Sequence, residues 1–73
     1  MARITVKSEI AGKVWKIETQ PGQQVADGDE LLILESMKME IPVLSTGAGT
    51  VAEILVREEE AVAEGQDLVH LDT

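Results

Sequence analysis

The chain has 73 residues and a formal charge of −8, from 14 acidic and 6 basic residues. That length predicts one domain, residues 1–73, with a modest core, because a small chain buries only about 60% of the surface that it exposes when unfolded. The charge argues against nucleic acid as a partner. The lack of cysteine excludes disulfides and thiolate metal sites, and a single histidine is too few for a metal centre or a histidine-based triad.

The N-terminal segment Met1–Glu9 is polar, with isolated apolar residues at alternate positions. It lacks the continuous apolar run of a signal peptide or a membrane span. We therefore expect a cytoplasmic protein that does not associate with membranes.

Apolar residues recur along the chain with a period of two, which is typical of strands, and no segment carries a convincing helical stripe. Turn signals rich in glycine, proline and aspartate separate the runs. The predicted strands, in chain order, are Arg3–Lys7, Gly12–Glu18, Gln24–Ala26, Leu31–Ser36, Met39–Leu44, Gly49–Val56, Ala61–Ala63 and Asp67–Asp72. About eight short strands with closely spaced turns predict an all-β sandwich or flattened barrel.

The chain also contains an internal repeat. With residue 1 aligned to residue 38, about one position in three is identical over the whole length, without a gap. Two similar halves predict two near-identical sheets that are related by a pseudo-twofold axis. The matched pairs include Val14 and Val51, Gly12 and Gly49, Val25 and Val62, Gly28 and Gly65, Leu31 and Leu68, and Leu34 and Leu71.

Several residues have structural interpretations. The repeated glycines predict positive φ in a turn or a close approach of two chain segments. Val14 and Ile17 both repeat but lie three residues apart, which predicts a β-bulge between them. We expect Trp15 to be a packing anchor and His70 to face outward on its strand.

The most informative feature is Lys38, which opens the second half and has a methionine on each side. Only Met37 and Lys38 separate the two predicted strands around them, which is the length of a two-residue hairpin loop. Such loops need positive φ, so Met-Lys is a poor choice that costs about 1–2 kcal/mol for a residue held in the left-handed region. Local rules tend to fail where a function is held.

The same register places Ser36 opposite Met39 and Glu35 opposite Glu40. Like charges directly opposite each other destabilise a strand pair. A second local rule is therefore broken beside Lys38. An exposed lysine at the tip of a rigid hairpin suits acylation by another enzyme, and a long acyl group attached there could enter two active sites in turn, at effective concentrations of order mM.

With these features, the sequence resembles the biotin/lipoyl attachment domains. The segment Glu35–Glu40 is similar to the biotinyl motif, whose core is Met-Lys-Met, and the resemblance covers essentially the whole chain. It implies a flattened barrel of two four-stranded antiparallel sheets, with Lys38 on a hairpin and the termini at the opposite end. The connection from Glu18 to Val25 is short, so the protruding thumb of some bacterial carriers is expected to be absent.

The resemblance also implies a function. A biotin protein ligase would join biotin to the Lys38 amine, and the biotin would carry carboxylate from a biotin carboxylase to a carboxyltransferase. Met37 and Met39 would contribute to the turn and to ligase recognition, with flanking recognition from Glu35, Ser36 and Glu40. The chain would be a non-catalytic carrier, monomeric in isolation, and either a stand-alone protein or an excised domain.

Two other functions stay open. A lipoyl carrier is the nearer alternative, although lipoyl domains typically have Asp-Lys-Ala at the turn, where this chain has Met37 and Met39. An unmodified β-sandwich adaptor is the other, but it offers no reason for the strained Met37-Lys38 turn. An enzyme acting alone is the least supported, because no general base or pocket accompanies Lys38.

Overall fold

A computed structural model describes residues 2–73, which form eight strands and, within that range, no helix. The strands are β1 (Arg3–Lys7), β2 (Gly12–Ile17), β3 (Gln24–Val25), β4 (Glu30–Ser36), β5 (Met39–Leu44), β6 (Gly49–Ile54), β7 (Ala61–Val62) and β8 (Asp67–Asp72). All eight predicted strands are confirmed, and their ends differ from the prediction by two residues at most. The described residues contain no helix that could cross a membrane.

The strands form two antiparallel sheets of four strands each, as expected. One sheet has the order β1-β8-β6-β3, and we call it the terminal sheet because it holds the first and last strands. The other has the order β5-β4-β2-β7, and we call it the hairpin sheet. Each sheet takes two strands from each half of the repeat, so the halves are interleaved rather than stacked as separate units.

Backbone hydrogen bonds, like the strands, recur at equivalent positions in the two halves. The amide of Gly28 donates to the carbonyl of Ser45 at 2.9 Å, and in the other half the amide of Gly65 donates to that of Ser8 at 2.7 Å. Both glycines have positive φ, 90° and 85°, which confirms the backbone requirement predicted from the repeat. The two halves therefore use the same turns to connect the two sheets.

The other repeated glycines, Gly12 and Gly49, allow two backbone segments to approach each other. A Cβ atom on Gly12 would lie 2.8 Å from the carbonyl oxygen of Glu35, and one on Gly49 would lie 2.5 Å from that of Asp72. Real Cβ atoms essentially never come so close to a backbone atom. The second predicted reason for a repeated glycine is thus confirmed at these two positions.

The core between the sheets is built from leucine and valine. Three of the repeat's pairs are identical in both halves, and the fourth differs by one methylene group, with a leucine in the first half and a valine in the second. The largest fully buried side chains are these four pairs: Leu31 and Leu68, Leu34 and Leu71, Val14 and Val51, and Leu32 and Val69. The positions that the two halves share are therefore largely the positions that fill the core.

Two predictions about single residues have different outcomes. The predicted bulge is present between Val14 and Lys16, and the second half has one at the equivalent place. Trp15 lies in this bulge with 42% of its surface exposed, so the prediction that it is a packing anchor is wrong. Ordinary alternation turns the indole outward, because Val14 beside it is buried, and the bulge then leaves Lys16 exposed as well before Ile17 turns back toward the core. His70 lies on the outer face of the terminal sheet as predicted, although it is half-buried.

Candidate functional site at the Lys38 hairpin

Lys38 lies at the tip of the hairpin that joins β4 and β5. Met37 has φ 50° and Lys38 has φ 65°, so both central residues of the turn are in the left-handed region. Positive φ at both positions is the geometry of a type I′ turn, whose twist matches that of the flanking strands. The predicted two-residue hairpin and its unfavourable backbone are thus confirmed.

The base of the hairpin is held by the neighbouring strand and loop. Leu34 is buried two residues before the hairpin's closing pair, and the Ser36 hydroxyl donates a hydrogen bond of 3.2 Å to the Ala11 carbonyl. Gly12 packs directly against the backbone of Glu35. Since β4 also pairs with strands on both sides, the surrounding sheet can hold the turn in its unfavourable conformation.

The tip of the hairpin is exposed. Met37 shows 92% of its surface and Met39 shows 64%, and Lys38 between them is also exposed. Exposed methionines are unusual, and flexible thioether side chains suit a surface that another protein contacts. The hairpin therefore presents a primary amine between two apolar side chains, clear of the rest of the domain.

Negative charge lies at the base of the turn, as predicted. Glu35 is directly opposite Glu40 across the hairpin, and both are exposed. The equivalent position in the other half holds an opposite-charge pair, with the Arg3 Nε atom 3.0 Å from the Asp72 carboxylate. The fold thus has an attractive pair, Arg3 and Asp72, at one end and a repulsive pair, Glu35 and Glu40, at the other end beside Lys38.

Sequence reasoning missed Lys13 as a neighbour of the site. Lys13 pairs with Glu35 in the register of β2 and β4, so a cation lies beside the two glutamates. Its Nζ atom is also 3.4 Å from Glu59, on the turn before β7. A repeat alignment cannot reveal this contact, because it indicates equivalence between strands and not their pairing.

The Lys38 amine has no partner within this part of the chain. None of the ion pairs among residues 2–73 includes Lys38. A groove of about 540 Å³ runs beside β5, and Ile41, Val43 and Leu44 contribute to its lining, but Lys38 does not. Within the same described range, no group of three histidine or acidic side chains could hold a metal ion. The arrangement suits a lysine that another protein modifies.

The family described as "Biotin-requiring enzyme" matches residues 3–71. The chain is 43% identical to the biotin/lipoyl attachment protein of Bacillus subtilis, covering 93% of both chains. It is 42% identical to a biotinylated protein TB7.3 homolog of Mycobacterium leprae, covering 88% of this chain and 89% of that one.

Large carboxylases contain a similar domain. The chain is 33% identical to the human mitochondrial propionyl-CoA carboxylase alpha chain, covering 92% of this chain and 9% of that protein. Urea carboxylase of Kluyveromyces lactis superposes with a TM-score of 0.93 at 30% identity, covering 99% of this chain and 6% of that one. In these proteins the similarity is confined to a small part of a much longer chain.

Proposed function

The chain belongs to the biotin/lipoyl attachment family, and on that premise we propose that Lys38 is the residue to which biotin is attached. The observation that carries the proposal is the turn itself. Lys38 is an exposed amine on a left-handed two-residue turn, held there against local preference and flanked by exposed Met37 and Met39. Biotin is the cofactor of the family, and the similarity of this chain to carboxylase domains supports a carrier function.

The hairpin residues fit this chemistry. The Nζ atom of Lys38 would form an amide with the carboxyl carbon of activated biotin, which the ligase supplies, while the activating group leaves as an anion and the Lys38 ammonium releases two protons. The product is neutral, so the positive charge at the tip is lost on modification. Biotin, when bound, supplies a carrier for carboxylate. The rigid turn holds the start of the arm away from the domain, so that the attached group can reach an enzyme's active site.

The expected partners follow from that role. A biotin protein ligase would contact Met37 and Met39 and the flanking residues Glu35, Ser36 and Glu40. A biotin carboxylase and a carboxyltransferase would then act on the attached group. Similarity to domains within propionyl-CoA and pyruvate carboxylases supports partners of this class. This chain would act as their non-catalytic carrier.

Co-expression with a biotin protein ligase tests the attachment site. The intact mass of the wild type should increase by one biotinyl group, and Lys38→Arg should abolish both this increase and streptavidin binding while the fold is retained. Lys16→Arg is the matched control, because it makes the same change at another exposed lysine of the hairpin sheet, and it should be modified like the wild type. Biotin on the Lys38→Arg variant would contradict the proposal, and an unmodified wild type would favour a lipoyl carrier or an adaptor.

A lipoyl carrier is the second candidate, because the Bacillus subtilis relative is described as a biotin/lipoyl attachment protein. Met37→Asp makes the turn more similar to that of lipoyl domains. We expect it to lower acceptance by the biotin ligase and to raise acceptance by a lipoate ligase, since an exposed apolar contact becomes a charge. Unchanged rates with both ligases would show that neither enzyme recognises Met37.

A further inference from the structure

An apolar row crosses the outer face of the hairpin sheet. Trp15 on β2 and Leu44 on β5 are the exposed ends, with 42% and 46% of their surfaces accessible. Ile33 on β4 lies between them. It is directly opposite Pro42 on β5 on one side and Lys16 on β2 on the other, and Lys16 follows Trp15 in the bulge. Single exposed apolar residues are ordinary, but a contiguous group marks a contact surface. We call the four apolar residues, together with Lys16 among them, the hairpin-sheet row.

The fold itself does not require this row, because the terminal sheet provides an internal reference. The repeat places Ala52, Glu53, His70, Thr5 and Lys7 at the positions of Trp15, Lys16, Ile33, Pro42 and Leu44. Both sheets share strand order, core positions and the bulge. The terminal sheet therefore forms the same architecture with small, polar or charged residues on its outer face. The apolar character of the hairpin-sheet row needs another reason.

Lysines and carboxylates share this face, where Glu35 lies opposite Glu40 and Glu30 lies opposite Leu44. Lys13 and Lys16 are both on the hairpin sheet, where the terminal sheet has Thr50 and Glu53. Lys13 is paired with Glu59, whereas Lys16 is exposed and belongs to none of the ion pairs among residues 2–73. On a chain of charge −8, this cation beside apolar side chains complements a surface that carries a carboxylate next to an apolar patch.

A second copy of the chain fits this face less well. Two molecules of charge −8 repel each other on approach. Strand pairing through β5 is also impeded, because Pro42 lies in the middle of this edge strand and has no N–H to donate. A different protein, which presents a carboxylate beside an apolar patch but does not share this net charge, is therefore the better occupant.

The row lies close to Lys38 along the hairpin. Pro42 is four residues after Lys38, which corresponds to about 13 Å along a strand. Once Lys38 carries an acyl group, its amine is a neutral amide, and an enzyme that acts on that group cannot recognise the lysine charge. Such an enzyme needs a surface of the protein itself, and the hairpin-sheet row is beside the arm.

We propose that the hairpin-sheet row is the surface on which biotin carboxylase docks, through an apolar patch that packs on Trp15 and Leu44 and a carboxylate that pairs with Lys16. The inference rests on the proposed biotin carrier function. Docking brings the arm of Lys38 to the enzyme, and the modest size of the row suits a complex that must dissociate after each transfer.

The repeat supplies the variants for the test. Trp15→Ala, Lys16→Glu and Leu44→Lys each introduce the residue that the terminal sheet has at the equivalent position, so the backbone is known to accommodate it. Lys7→Glu on the terminal sheet is the matched control for Lys16→Glu, since it changes the net charge by the same amount on the other face. All are biotinylated first, and intact mass confirms the modification.

The kinetics of a purified biotin carboxylase are then measured with each biotinylated protein and with free biotin. We expect each row variant to lower kcat/KM for the protein by about fivefold or more, through KM, with Lys7→Glu within about twofold of the wild type. Row variants that match the wild type, or an equal loss in Lys7→Glu, would overturn the proposal. So would a wild-type dimer in sedimentation that the row variants dissociate. A biotinylated wild type that is not carboxylated, while free biotin is, would refute the proposed function and this inference with it.

Discussion

Replacing Met37 with asparagine separates two properties of the hairpin turn, its backbone strain and its exposed side chain. Met37 has φ 50°, a conformation that costs an ordinary L-residue about 1–2 kcal/mol. Asparagine is several-fold enriched there, so we expect Met37→Asn to recover roughly half, about 0.5–1 kcal/mol of unfolding free energy. For a domain of this size that corresponds to an increase in Tm of about 2–8 °C, measurable by calorimetry or circular dichroism.

The same variant should be a poorer substrate for a biotin protein ligase. Met37 is 92% exposed, and burying such a side chain in a complex contributes about 1.5–3 kcal/mol. Its loss should lower kcat/KM for biotinylation by about tenfold or more, because each 1.4 kcal/mol corresponds to a factor of about ten. Met37→Leu keeps the apolar surface and should retain most of the activity.

Glu59→Asn is the control for the backbone effect. Glu59 also has positive φ, 75°, on an exposed turn before β7. The Glu59→Asn variant should also have a higher Tm, by less than Met37→Asn because its exposed ion pair with Lys13 is lost, while its biotinylation is unchanged. A Tm for Met37→Asn at or below that of the wild type would refute the strain argument, and undiminished biotinylation would refute the role of Met37 in recognition.

Three further results are expected. Glu40→Arg replaces a like-charge cross-strand pair with an opposite-charge pair, so it should raise Tm by a few degrees at low salt, and the increase should shrink at 1 M salt, where the Debye length is about 3 Å. Gly28→Val and Gly65→Val should each cost about 1–3 kcal/mol in denaturant melts, because both sites have positive φ, and near-wild-type midpoints would contradict this. Gly12→Ala and Gly49→Ala should also cost about 1–3 kcal/mol, here through steric overlap, and unchanged stability would show that the backbone can move apart.

Much of the fold could be predicted from the sequence because its signals are local. Strand positions follow from alternation, and the Lys38 hairpin follows from two strands separated by two residues. The prediction for Trp15 was wrong because it gave residue type more weight than strand alternation, which turns the neighbour of buried Val14 outward. The spacing of Val14 and Ile17 predicts a bulge, and the structure shows that this bulge leaves Lys16 on the outer face together with Trp15.

The sequence by itself determined the eight strands, the equivalence of the two halves and the identity of Lys38 as the candidate attachment site. Those features depend on residue type and spacing, which the chain carries locally. Only the tertiary structure decided that the halves interleave, that Lys13 lies beside Glu35, and that an apolar row faces outward on the hairpin sheet. Pairing between distant strands depends on how the whole core packs, so a repeat indicates which segments are alike but not which ones meet.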